Sequence, residues 1–235
     1  MPGLGEIFVA ERLRLVFALL TSLVLTPVVQ PLIPAYPDSV PLLLWMLGKE
    51  IVIGSVIGLS ARILFSSMHV AGMVIALQSG LASATLFDPS QGTQGTIFGN
   101  FLSLFALLLF FATNMHYLML YGLAESYTLF IPGVNLPVGD FSELISKIVS
   151  SSFMIGIKIS APQIVIGLLL FLASGVLARL MPNMQIFFVI IPLQIMISLL
   201  VLLLTFSASL TWYMDTFKDT MSNLLFPGET VIFDE

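Results

Sequence analysis

An all-α integral membrane protein is the fold class this sequence predicts, and three observations carry it. Of 235 residues, 58% are hydrophobic and 9% charged, whereas an ordinary soluble domain carries about a quarter of its residues charged. Charge-free runs cover 15–37, 63–87, 89–124, 159–178 and 180–214, each reaching the roughly 20 residues a helix needs to cross a bilayer. These runs are continuously apolar rather than alternating at period two, which selects helices over a barrel. The same balance excludes several function classes. A net charge of -5 with acidic residues spread singly argues against a nucleic-acid partner, and the absence of cysteine removes disulfide and thiol chemistry. His69 and His116 are the only histidines and have no third ligand at metal spacing. With no phosphate-binding loop, nucleotide fingerprint or acid–base pair, neither an enzyme activity nor a metal or cofactor is expected.

The elements follow in order along a single membrane domain, residues 1–235. Glu6 and Glu11 precede the first apolar run without a small-residue cleavage site, so the N-terminus does not read as a signal peptide. Arg12 and Arg14 open a first helix that weakens at Pro27, Pro31, Pro34 and Pro37, since proline removes a backbone donor and clashes with the preceding turn. Between Pro41 and Pro89 no proline intervenes, which allows a helix of about 45 residues, about 68 Å long. That exceeds a bilayer core of ~30 Å, so the helix either folds back near Ser66 and Ser67 or is covered by protein outside lipid. Thr96 to Tyr121 predicts one long apolar helix, and FIPGVNLPVGD, 130–140, a turn region. Asp140 and Glu143 resemble a capping box, with Glu143 and Lys147 a favourable i, i+4 pair. The next helix is punctuated by Lys158 and Pro162 and ends at Arg179, Pro182 and Asn183. A last run, 185–214, carries Pro192 as a kink, and 215–235 reads as a short acidic tail. The basic residues do not alternate between successive loops, which argues against an ordinary serpentine permease.

Three groups of residues stand out as candidate functional positions. Lys49 and Glu50 are helix neighbours that point apart, and Arg62 lies about 120° around from Glu50, so each calls for a partner on another helix, another chain or water. Otherwise they mark interfacial helix ends. Small residues recur at Gly72, Ala76, Gly80 and Ala84 and as GxxxG pairs at Gly54 with Gly58 and Gly95 with Gly99, a spacing that lets helices approach closely within the chain or against a neighbour. The segment LFDPSQGTQGTIFGN, 86–100, interrupts the apolar runs. Asp88 and Pro89 stop a helix; Gln91 and Gln94 offer hydrogen bonds; Gly92 and Gly95 give backbone freedom; Leu86 and Phe87 provide an apolar anchor. Non-helical backbone at membrane depth survives only inside protein or water, so this loop is either an exposed turn or a pore lining, constriction or plug.

Four stretches together resemble the FliR family of the flagellar type III export apparatus, called SctT in the related virulence systems: MPGLGEIFVAERLRL, GLASATLFDPSQGTQGTIFG, NMHYLML and GVLARLMPNMQIFFVIIPLQI. The likeness runs over nearly the whole chain. It implies a non-enzymatic subunit of the export gate in the bacterial inner membrane, at the flagellar basal body. In that family, long helical hairpins pack in a hetero-oligomer with FliP and FliQ homologues and with FlhB, around a pore that passes flagellar proteins. The resemblance makes 80–99 a plug and accounts for Lys49, Glu50 and Arg62 as partner-facing or buried charges. Arg179, Pro182 and the segment Phe187, Phe188 to Pro192 read as a late turn that docks on a neighbour, since adjacent phenylalanines face different directions and one can pack internally while the other reaches a sister subunit; otherwise both face lipid. Met73 and Ile190 depart from the family pattern, and family members carry one more apolar helix before the position matching Met1. A virulence-type gate subunit, a small-solute permease or channel, and an inert membrane scaffold are the alternative readings.

Overall fold

The computed structural model describes residue 3 and residues 10–33, 39–80, 94–130, 138–181 and 187–226, without the side chains of 94–96, 138–140 and 187–188. All secondary structure among the described residues is helical: α1 (Glu11–Val29, extended by a 3-10 turn Gln30–Leu32), α2 (Val40–Gln78), α3 (Gln94–Ala112), α4 (Met115–Leu129), α5 (Val138–Leu180) and α6 (Phe187–Leu225). Among the described residues, four helices are long and apolar enough to cross a membrane, or five spans if the bent pair α3–α4 counts as one. At most 22% of the most apolar window of each of the four is buried within the chain. Their outer faces are therefore left to lipid or to other proteins.

α2 runs 39 residues without a break, about 58 Å, so it does not fold back at Ser66 and Ser67. Its buried positions, Ile53, Ile57, Ala61, Leu64, Met68, Ala71 and Ile75, recur at three and four residues, which keeps one stripe inward along the whole helix. α5 continues through Pro162 for 43 residues. One lost hydrogen bond does not end a helix held on both sides of the proline by buried Ile155 and Ile159 and buried Gln163. α6 passes through Pro192 and continues to Leu225. Residues 215–225, which read from sequence as acidic tail, are helical because Met214, Phe217, Met221 and Leu225 form a buried stripe at helical spacing.

The expected single helix from Thr96 to Tyr121 is broken instead. α3 and α4 are bent 71° apart at Thr113 and Asn114. Asn114 takes the left-handed conformation (φ 57°), which asparagine tolerates better than most residues. The Thr113 backbone N–H and hydroxyl both donate to the Leu109 carbonyl, each at 2.7 Å, which fastens the last turn of α3 just before the break.

The chain divides into two compact units, residues 1–64, 109–149 and 216–235, and residues 65–108 and 150–215. In the first, Phe110 meets Phe217 edge-on (5.8 Å between centroids, 90°) and Tyr121 stacks on Phe226 at 5.3 Å. Gly122 lies so close to the Leu225 side chain that any Cβ would collide with it. α1 packs against α4, with an apolar cleft of about 760 Å³ between them, lined by Phe17, Leu25, Val29, Leu120 and Leu123. In the second unit, Phe101, Phe105 and Phe206 cluster with centroids 4.7–5.7 Å apart. The fully buried Tyr213 meets Phe65 edge-on at 6.2 Å and hydrogen-bonds Ser67.

Candidate functional site

The second unit holds the two ends of the chain that flank residues 81–93, and it anchors both. α2 and α3 cross at Gly72 and Gly99, where a Cβ on Gly72 would fall onto the Gly99 backbone, while a Cβ on Gly99 would meet the His69 ring at 2.6 Å. Only two glycines allow that approach, which lets dispersion and weak backbone contacts act where no hydrophobic effect drives association. Ala76, one turn after Gly72, is also buried. α2 ends at Gly80 in the left-handed region (φ 77°), a common helix stop that costs glycine no Cβ clash. Gln194 of α6 closes this end: its Nε2 donates to the Gln78 carbonyl at 2.8 Å, and its amide lies 3.2 Å from where a Gly80 Cβ would sit. From α5, Gly167 leaves room for the Gln78 side chain.

The structure therefore brings Gly72 and Gly99 together, buries Ala76, and sets Gly80 against Gln194. Gly54 and Gly58 are different, since a Cβ at either meets nothing within 4 Å. Among the described residues, no other helix stands against the Cβ position of either glycine. Of the residues read as a loop, Leu86, Phe87, Asp88, Pro89, Gln91 and Gly92 lie outside the described residues, as does Ala84. Gln94 and Gly95 are a correction: they form the first turn of α3.

Glu50 has the partner on another helix that the sequence calls for, while Lys49 also meets a ring on its own helix, which was not expected. Lys49 is buried, with Nζ 5.5 Å from the centre of the Trp45 ring one turn away, and Glu50 accepts a hydrogen bond from the Tyr127 side chain of α4. A cation over an aromatic face keeps part of its stabilisation without water, which periodicity alone did not reveal. Arg62 is exposed. Arg179 is exposed in the last turn of α5, Pro182 lies outside the described residues, Phe187 and Phe188 open α6, and Pro192 lies inside it. Gln194 and His69 were missed from sequence. A glutamine inside the apolar run PLQIM was the available signal, because a polar side chain there must find a partner. Among the described residues no group of His, Asp and Glu is arranged to hold a metal.

Comparison with known proteins matches residues 1–220 to a family described as bacterial export proteins, family 1. The chain is similar to the flagellar biosynthetic protein FliR of Caulobacter vibrioides, 35% identical over 221 residues, which covers 94% of this chain and 88% of that protein. FliR of Aquifex aeolicus is 33% identical over 216 residues (87% and 78%), and FliR of Escherichia coli 32% over 203 residues (84% and 75%).

Proposed function

The chain belongs to the bacterial export proteins, family 1, and from that premise we propose that it is a structural and gating subunit of the flagellar type III export gate. The observation that carries this reading is the likeness to flagellar FliR proteins over most of the chain. It is a non-enzymatic membrane component of the bacterial inner membrane, at the flagellar basal body. Its neighbours are FliP and FliQ homologues and FlhB, and its cargo is flagellar protein in transit.

Residues 81–93 act as the closing element. Both ends of this stretch are held, one by Gln194 on the Gln78 carbonyl and the other by the Gly72–Gly99 crossing. A segment tied at two fixed points can change conformation without dislodging the helices that carry it. Gly92 supplies backbone freedom, while Ser90, Gln91 and Thr93 offer hydrogen bonds to the backbone in either state, so opening strands no buried polar group, each worth about 1–3 kcal/mol. Gly54 and Gly58, open on α2, and the late turn from Arg179 to Pro192 face neighbouring subunits.

Co-expression with FliP and FliQ homologues should yield one large defined complex, and a well-behaved monomer with no affinity for them would overturn the assembly. In the assembled complex, deleting residues 90–93 should raise small-ion conductance at least tenfold in planar bilayers while leaving the complex intact. An unchanged, tight baseline would reduce 81–93 to a plain connection.

A further inference from the structure

Lys158 is the only charged residue between Lys147 and Arg179 on α5. Its side chain is exposed, its Nζ lies 5.7 Å from the centre of the Trp212 ring on α6, and no carboxylate among the described residues lies within 4.0 Å of it. Phe153, Met154 and Ile157 beside it are 57%, 54% and 51% exposed, and Val165, Leu169, Leu172 and Val176 carry the same apolar face on toward the end of the helix.

The length of this face decides what covers it. Residues 148–178 span about 46 Å, whereas a bilayer core is ~30 Å thick. If lipid covers 159–178, then Phe153, Met154 and Ile157 stand beyond the hydrocarbon with large apolar surfaces bare. If lipid is shifted to cover those three residues, Lys158 lies within the hydrocarbon on an outward face, which is expensive without a counter-charge. Either placement leaves the surface around Lys158 in need of protein. Trp212 holds the ammonium group in place by its ring face but does not neutralise it.

We propose that Phe153, Met154, Ile157, Lys158 and Trp212 form a docking surface for an apolar helix of a neighbouring export-gate subunit that sets an aspartate or glutamate opposite Lys158. This rests on the gate-subunit reading above, but it assigns a surface and a chemistry of its own. The apolar residues supply contact area and the ion pair sets register, because a carboxylate displaced by one helical turn would leave both charges buried and unpaired.

The test uses the full chain in native membranes with its partner proteins. A photo-crosslinking p-benzoylphenylalanine at Ile157 should give one discrete protein adduct. Lys158→Arg should leave its yield within twofold and Lys158→Glu should lower it about tenfold, with a carboxylate-to-lysine change in the adducted helix restoring it. Adducts to lipid alone, or an equal yield with Lys158→Glu, would overturn the proposal. The same crosslinker at Ile51, on the exposed face of α2, separates the two readings. Protein adducts at 51 but none at 157 would sink this surface alone, whereas none at either position, in a chain migrating as a monomer, would sink the gate-subunit reading.

Discussion

At Gly72 and Gly99 the difference between holding and losing the α2–α3 crossing is a single carbon. Gly72→Leu must push α3 away, because the atoms it meets are backbone and cannot rotate aside. Overpacking of this kind costs typically 1–3 kcal/mol, so the variant should lose thermal stability in detergent and accumulate poorly. Gly54→Ala and Gly58→Ala provide the contrast, since their Cβ atoms enter open space. The chain's own melting temperature should stay unchanged or rise slightly, as alanine is the better helix former, and any defect should show only in co-purification with partners. A drop in the melting temperature of the isolated chain would place another helix against these glycines. Tyr213 offers a graded test. Tyr213→Phe keeps the edge contact with Phe65 and loses only the hydrogen bond to Ser67, worth about 0.5–1.5 kcal/mol, whereas Tyr213→Ala opens a cavity at a fully buried site and should cost about 3–5 kcal/mol. Equal losses for the two would mean that the ring contributes nothing beyond its hydroxyl.

Among the elements, the α3–α4 pair shows how one residue redirects a helix that composition would have run straight. The break rests on Asn114 at φ 57°. Asn114→Gly should be tolerated, and Asn114→Val should cost about 1–2 kcal/mol, because a β-branched side chain meets the following carbonyl in that conformation. Hydrogen exchange at the Thr113 and Tyr117 amides, which bond to Leu109 and Asn114, reads the bend directly. Protection unchanged by the valine variant would show that neighbouring packing, not residue 114, sets it. In the second unit, Gln194→Leu keeps the volume but removes the donor to the Gln78 carbonyl. The α2 terminus should then exchange faster while the rest of α2 stays protected. The i, i+4 pair Glu143–Lys147, 2.7 Å apart with both side chains well exposed, carries little by comparison, as surface pairs do.

Across the whole molecule, α2, α5 and α6 each pass from one compact unit into the other, and each is longer than a bilayer core is thick. Large apolar surface consequently remains uncovered by the chain itself and is left to lipid or to other proteins. Much of this was legible in advance. Long charge-free runs determine membrane helices, because a charge or an unpaired backbone group in hydrocarbon costs more than any local preference can offset. Proline-free stretches determine that α2 is long, and the motif GLASATLFDPSQGTQGTIFG carries the family likeness that comparison with known proteins then showed. What periodicity could not decide was pairing. Gly72 and Gly54 both sit in small-residue spacings, yet among the described residues a helix stands against Gly72 and none against the Cβ position of Gly54, because which face of a uniformly apolar helix turns inward depends on the other helices and not on its own residues. The tail at 215–225 is helical for the same reason: Phe217 and Met221 are apolar positions whose value lies in the partners they meet, Phe110 among them. Lys49 over Trp45, Glu50 with Tyr127 and Gln194 on Gln78 are contacts chosen by tertiary packing, since a polar group in an apolar run announces that it needs a partner but does not say which one.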